Sequence, residues 1–268
     1  MKTNYIPRLY EFLAELGRRQ DRQWFKENKA QYDELRALWI ADIDTLITHV
    51  GQFWPEVKSQ TGASSVYRIY RDTRFSADKS PYKTYFSASV SPRPRGSVSV
   101  HLPGYYLQVG PGRQGVATDS YESGESGLYG GVWCPDAPVL RKLRKAIIDN
   151  IEEFEEIINA PALTATFPGW YGSSLKTVPK GYDRNHPQAH LLRLKEYGRF
   201  MPADMKFFSD PLWPERAAGY LQVLYPLLRF LEYSINEEWA TFFLRKHPGA
   251  AKCKRNFCNF ASDSTPNS

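Results

Sequence analysis

Residues 68–83 hold the densest chemistry in the chain: five cations (Arg68, Arg71, Arg74, Lys79 and Lys83) stand beside two carboxylates, Asp72 and Asp78. A guanidinium offers a planar fork that grips carboxylate or phosphate through two bonds, and an ammonium adds a mobile point charge, so this mixture suits an anionic ligand. Tyr67, Ile69 and Phe75 alternate with Arg68, Tyr70, Asp72 and Arg74, the period-two pattern of a strand with one polar face. Same-face neighbours on such a strand are about 7 Å apart, which puts Asp72 between two guanidinium groups. Asp78-Lys79-Ser80-Pro81 reads as the turn that returns the chain to the next strand. Opposite charges at this density shift proton affinities, so Asp72, Asp78 and Tyr82 are candidates for proton transfer. A plainer reading stands beside this one: a solvated or internally salt-bridged surface, with Tyr70 and Tyr82 at the edge of the core and their hydroxyls in water.

A pocket needs walls from more than one segment, and a second polar cluster is available in Lys180, Asp183 and His186. His186 precedes Pro187 at the start of a predicted short helix, where its imidazole either caps and packs or serves as a general acid–base. If residues 68–83 form a cleft, these three are expected beside it, with one of Arg71 and Arg74 facing ligand and the other pairing with an acid. The sequence has no His-x-His, His-Glu-x-x-His or carboxylate triad, no phosphate-cradling loop and no Gly-x-Gly-x-x-Gly between a strand and a helix, so neither metal nor cofactor is expected. Cys134, next to Trp133, reads as a small buried hydrophobe.

The elements that position these residues follow from apolar spacing. Ile6, Leu9, Phe12, Leu13 and Leu16 predict a first helix ending at Gly17; Asp21 is the cap of a long second helix carrying Trp24, Phe25, Tyr32, Leu35, Trp39 and Ile43 and ending at Gly51. Strands are predicted from residue 66 to 75 and at 85–90, 98–102, 105–109 and 128–133, about five in an antiparallel meander. A further helix carries Leu140, Leu143, Ile147, Ile151, Phe154 and Ile158. Residues 160–181 are an expected ordered loop, and residues 214–235 a helix kinked at Pro226. Helices, strands, then helices predict an α+β fold: a mainly antiparallel sheet packed against N-terminal and C-terminal helices in a single domain, residues 1–247, followed by a flexible basic and polar tail, 248–268.

Several of these segments resemble the uncharacterised domain-of-unknown-function family 2461 of bacteria and fungi, whose signature has the form R-x-Y-R-D-x-R-F-S-x-D-K-x-P-Y-K. Trp24-Phe25-Lys26-Glu27-Asn28-Lys29 with Tyr32, Gly104-Tyr105-Tyr106-Leu107, and Gly131-Val132-Trp133-Cys134-Pro135 are similar to further family elements. So are Lys180-Gly181-Tyr182-Asp183 with His186-Pro187, and Leu191-Leu192-Arg193-Leu194-Lys195. The resemblance spans roughly residues 5–235 in order and implies that the fold follows the family. It implies no reaction. Asn185 stands where the family usually has an acid, and His190 where it often has Glu, so neither position supplies a catalytic acid here.

The 268 residues carry a net charge of +6, with 42% hydrophobic and 24% charged residues, an ordinary globular balance. Residues 66–95 hold seven basic and two acidic residues and residues 240–268 five and one, so the rest of the chain is slightly acidic. That distribution favours a local anion site over a protein-wide nucleic-acid surface. No apolar stretch suits a membrane span or a secretion signal, which predicts a cytoplasmic protein. The expected function is a metal-independent pocket for an anionic small molecule bearing phosphate or carboxylate, with catalysis left open. The alternatives are an interaction protein with an architectural ion-pair network, and a nucleic-acid or polyanion binder using the same segment plus the basic tail.

Overall fold

The computed structural model describes residues 4–74, 78–92, 102–112 and 125–236. Apolar side chains at helical spacing bury one side of α1 (Ile6–Arg19) and of α3 (Lys29–Phe53), where Leu9, Leu13, Leu35, Trp39 and Ile43 are fully enclosed. Between them lies α2 (Arg22–Glu27), whose first turn is capped by the Asp21 carboxylate accepting the Trp24 amide at 2.7 Å. The predicted second helix is divided at Asn28, because the Asn28 side-chain amide takes the Trp24 carbonyl at 2.9 Å and competes with the helical ladder. The first helix runs past Gly17 and stops at Gln20, which adopts a left-handed conformation with φ 46°.

Strands β1 (Phe86–Val90), β2 (Gly104–Val109), β3 (Gly127–Val132) and β4 (Tyr197–Pro202) form one antiparallel sheet in sequential order. The chain is therefore an α+β single domain with an antiparallel sheet. The register sets Tyr106 opposite Ser89 and Tyr129, and Tyr129 opposite Phe200. The strand composition differs from the sequence expectation in two places. The segment from Val66 makes only isolated bridges, Val66 to Ala88 and Tyr70 to Tyr82, because the chain leaves the sheet edge and pairs with its own return. The fourth strand comes from 197–202, far beyond the meander. Most of the predicted 98–102 strand lies outside the described residues, as does the tail from 237 onward.

One face of the sheet carries Tyr105, Leu107, Val109, Leu128 and Val132 into the core. The long helix α10 (Trp213–Ile235) crosses there so closely that a Cβ on Gly130 would stand 2.8 Å from Leu224. The predicted third helix is two, α5 (Ala137–Asp149) and α6 (Ile151–Ile158), broken at Asn150, while α7 (Pro161–Thr166) occupies part of the expected loop. A 3-10 helix (Pro55–Ser59) and the short helices α4 (Gly62–Ser65), α8 (Ala189–Leu192) and α9 (Met205–Ser209) complete the described elements. Buried charges tie these layers together. Asp42 of α3 accepts Tyr5 Oη at 2.9 Å and Trp213 Nε1 at 3.1 Å, and Arg199 of β4 donates to the carbonyls of Phe167 and Ile158 at 2.9 and 3.0 Å. No described helix is long and apolar enough to cross a membrane.

Candidate functional site

The basic segment is a two-stranded ribbon. Arg71 N donates to Pro81 O at 2.9 Å and Lys83 N to Ile69 O at 2.8 Å, which sets Tyr70 against Tyr82. Those two rings pack on Phe25 of α2, Tyr82 stacked at 4.5 Å and Tyr70 edge-on at 5.8 Å. Gln20 fastens the ribbon to the end of α1: its Oε1 accepts Tyr82 N at 3.0 Å and its Nε2 donates to Tyr82 O at 3.2 Å. A side-chain amide thus plays the part of a neighbouring strand. Ring packing sets Tyr70 against Phe25 of α2, and Asp72 lies near enough to Arg74 and Arg68 for both charges to lower its carboxyl.

Charges sort themselves within the ribbon. Asp78 pairs with Arg71 through one oxygen, and its other oxygen accepts Ser80 N and Oγ at 2.8 and 2.6 Å, closing the turn. Asp72 chelates Arg74 through Nε at 3.0 Å and Nη2 at 2.7 Å, and its hydrogen bonds from Arg74 hold its carboxyl down to about 2. Both arginines are therefore paired with acids, where only one was expected to be. Lys79 Nζ donates to Thr73 O at 2.8 Å; Arg68 is exposed and makes no ion pair among the described residues. Lys83 Nζ lies over the rings of Tyr67 and Tyr85 at 5.2 and 5.8 Å, and Tyr67 touches Tyr106 at 6.0 Å, so this cation stands at the edge of the sheet face opposite the core. Tyr82 is 4% exposed, and burial raises its phenol above the usual value.

Lys180, Asp183 and His186 form a separate turn. Asp183 Oδ1 accepts Asn185 N at 2.9 Å and His186 Nδ1 accepts Gln188 N at 3.0 Å, the local capping role open to such residues at a helix start. Among the described residues no hydrogen bond, ion pair or ring contact joins these three side chains to the ribbon. Cys134 is exposed rather than buried, and it takes a left-handed backbone with φ 42° at the sharp exit from β3.

A further polar cluster, formed by Glu196 and Tyr129, carries no motif and was not expected from residue spacing. Glu196 is 8% exposed, and one carboxylate oxygen has no hydrogen-bond partner; the Tyr129 hydroxyl is equally enclosed and unpartnered. Burial pushes the Glu196 carboxyl up, and it raises Tyr129 further because Glu196 lies nearby. The Tyr129 ring lies against Gly198, where any Cβ would collide with its hydroxyl. The one legible signal was the glycine-rich sequence of β3 and β4, since a glycine inside a strand marks close approach. No group of three or more His, Cys, Asp or Glu side chains among the described residues is placed to hold a metal.

The model of the conserved hypothetical protein family DUF2461 matches residues 8–230. The chain belongs to this family. The DUF2461 match encloses the basic ribbon, the Trp24 helix, the Trp133 corner and the turn at His186, all four of which carried the resemblance. No curated protein and no solved structure matches the chain.

Proposed function

We propose that the ribbon of this DUF2461 protein binds an anionic small molecule bearing phosphate or carboxylate, with Arg68, Lys79 and Lys83 as its contacts. The observation that carries this reading is the one-to-one matching of acids and arginines. Asp72 holds Arg74 and Asp78 holds Arg71, so residues 68–83, with five cations and two carboxylates, keep a net surplus of positive charge, and Arg68 is exposed with no ion pair among the described residues. The two internal pairs, the Ser80 turn and the Gln20 clamp hold those cations on a fixed frame, which lowers the ordering cost of binding. Asp72 and Asp78 act as positioning groups here rather than as proton carriers, because each is committed to an arginine. Neither Tyr82, stacked on Phe25, nor the turn at Lys180, Asp183 and His186 is needed for this reading.

Calorimetric titration with inorganic pyrophosphate tests it. Arg68→Ala and Lys83→Ala are each expected to weaken binding by about 1–3 kcal/mol, the worth of a charge-assisted hydrogen bond, with unchanged melting temperature. The Arg71–Asp78 pair, largely shielded from water, favours a second reading in which the network is purely architectural. Absence of pyrophosphate binding, together with loss of stability in Arg71→Ala, would establish that alternative. Tight binding of an oligonucleotide with a steep salt dependence would point instead to a polyanion.

A further inference from the structure

Tyr70 is the most exposed aromatic side chain among the described residues, at 47%. It is also the outermost ring of a packed row that runs from the core to the surface. Tyr32 lies edge-on to Phe86 at 5.8 Å and meets Phe25 at 5.2 Å. Phe25 carries Tyr82 and Tyr70, which meet each other at 5.5 Å with their planes 46° apart. These contacts, and the pairing of Tyr70 with Tyr82 across the ribbon, hold the outermost ring in place while leaving it half exposed. Lys29 lies over Tyr32 and Lys83 over Tyr67, but among the described residues no cation covers Tyr70. A ring fixed in this way loses little freedom when a flat partner stacks on it.

Three arginines from three elements border the row. Arg68 stands two residues before Tyr70 on the ribbon. Burial raises the Tyr82 phenol while Arg22 of α2 lowers it, and burial raises the Tyr32 phenol while Arg36 of α3 lowers it. Each of those guanidinium groups therefore stands within charge range of a ring in the row. Arg22 and Arg68 are exposed and Arg36 is half-buried, and none of the three makes an ion pair among the described residues. The neighbouring acids are already committed: Asp21 caps α2, Asp33 holds Lys29 through both oxygens at 2.7 Å, and Asp72 holds Arg74. The exposed ring is thus bordered by guanidinium groups whose charge no carboxylate takes up.

We propose that Tyr70 with Arg22, Arg36 and Arg68 binds a small aromatic phosphate of the nucleotide type, its ring stacked on Tyr70 and its phosphate held among the guanidinium groups. The inference rests on the anion reading of the ribbon, with which it shares Arg68, and it names the other half of the ligand. A phosphate monoester brings close to two negative charges and three acceptor oxygens, which suit several guanidinium forks at once. A base adds a π-face for the ring, and an aromatic cation meets three like charges.

Calorimetric titration of the full-length protein with AMP and with ribose 5-phosphate, which share the phosphate and differ by the base, tests the proposal, with inorganic pyrophosphate alongside. AMP is expected to bind about tenfold more tightly than ribose 5-phosphate, the scale of one stacked base. Tyr70→Ala is expected to bring AMP down to the level of ribose 5-phosphate, and Tyr70→Phe, which keeps the ring, to preserve the difference. Arg22→Gln and Arg36→Gln are each expected to weaken AMP about three- to tenfold. Pyrophosphate binding with AMP no tighter than ribose 5-phosphate overturns this inference and leaves the anion reading of the ribbon standing; no binding of any of the three overturns both. An advantage of AMP that survives Tyr70→Ala overturns the assignment of the base to this ring. Displacement of AMP by a short oligothymidylate, with affinity falling steeply as salt rises, overturns the small-molecule ligand in favour of a strand.

Discussion

Asp72 and Glu196 carry the same functional group, and their surroundings push it in opposite directions. Asp72 is exposed, and the Arg74 fork holds its carboxyl down to about 2; Glu196 is enclosed, and loss of water raises it. A depressed carboxyl favours folding at pH above its ordinary value and loses that contribution as pH falls through 2, but exposure and solvent keep the effect local for Asp72. For Glu196 the sign reverses. Its contribution is fully present below the ordinary glutamate value near 4.3 and is lost as pH rises through the raised native value, because folding then encloses a charge. Glu196→Gln is therefore expected to raise the melting temperature at neutral pH and leave it unchanged at pH 3–4, with the difference opening between those limits. Thermal melts of both proteins across that range check it, and parallel curves would show that Glu196 is charged and satisfied in the native state.

At the scale of elements, the ribbon and the sheet illustrate what local pattern determines. Residue period made the apolar faces of α1, α3 and α5 legible, and the Asp21 cap with them, because side chains three and four apart must share a helix face. Strands β1, β2 and β3 were likewise legible to within a residue. Strand β4 was not: Tyr197-Gly198-Arg199-Phe200 breaks alternation with a charge that must be buried, and the carbonyls of Phe167 and Ile158, delivered from more than thirty residues away, together with the Trp170 ring 4.9 Å from the guanidinium, make that burial tolerable. The ribbon was legible as a basic hairpin and its docking was not, since Phe25 and Gln20, which hold Tyr70 and Tyr82 against α2 and the end of α1, lie far earlier in the chain. Within the sheet, Gly198 is required by the ring of Tyr129. Gly198→Ala is expected to cost about 1–3 kcal/mol by overpacking, and the same change in a Tyr129→Ala background to cost distinctly less. Urea unfolding of the four proteins measures that coupling; strict additivity would mean that the ring does not decide the glycine.

For the molecule as a whole, the buried Asp42 carboxylate joins three distant parts of the chain, accepting Tyr5 from the entry to α1 and Trp213 from the start of α10. The Trp213 ring also stacks on Trp39 of α3 at 5.3 Å, so polar and apolar contacts coincide at one point. Asp42→Ala leaves two buried donors without their acceptor and is expected to lower the unfolding free energy by about 3 kcal/mol, with an unchanged denaturant slope. A loss under 1 kcal/mol would show that water replaces the carboxylate at little cost.

The clamp also has a consequence for biosynthesis. Asp42 and Trp213 are separated by 171 residues, so a ribosome releases α3 long before the partner of its carboxylate exists. Until α10 emerges, the nascent chain carries an acid aimed into its own interior and an uncovered sheet face at Gly130 where Leu224 and Leu228 will later rest. Helix α10 is thus the piece that lets α3 settle, and the packing of α3 waits on the synthesis of residues far downstream.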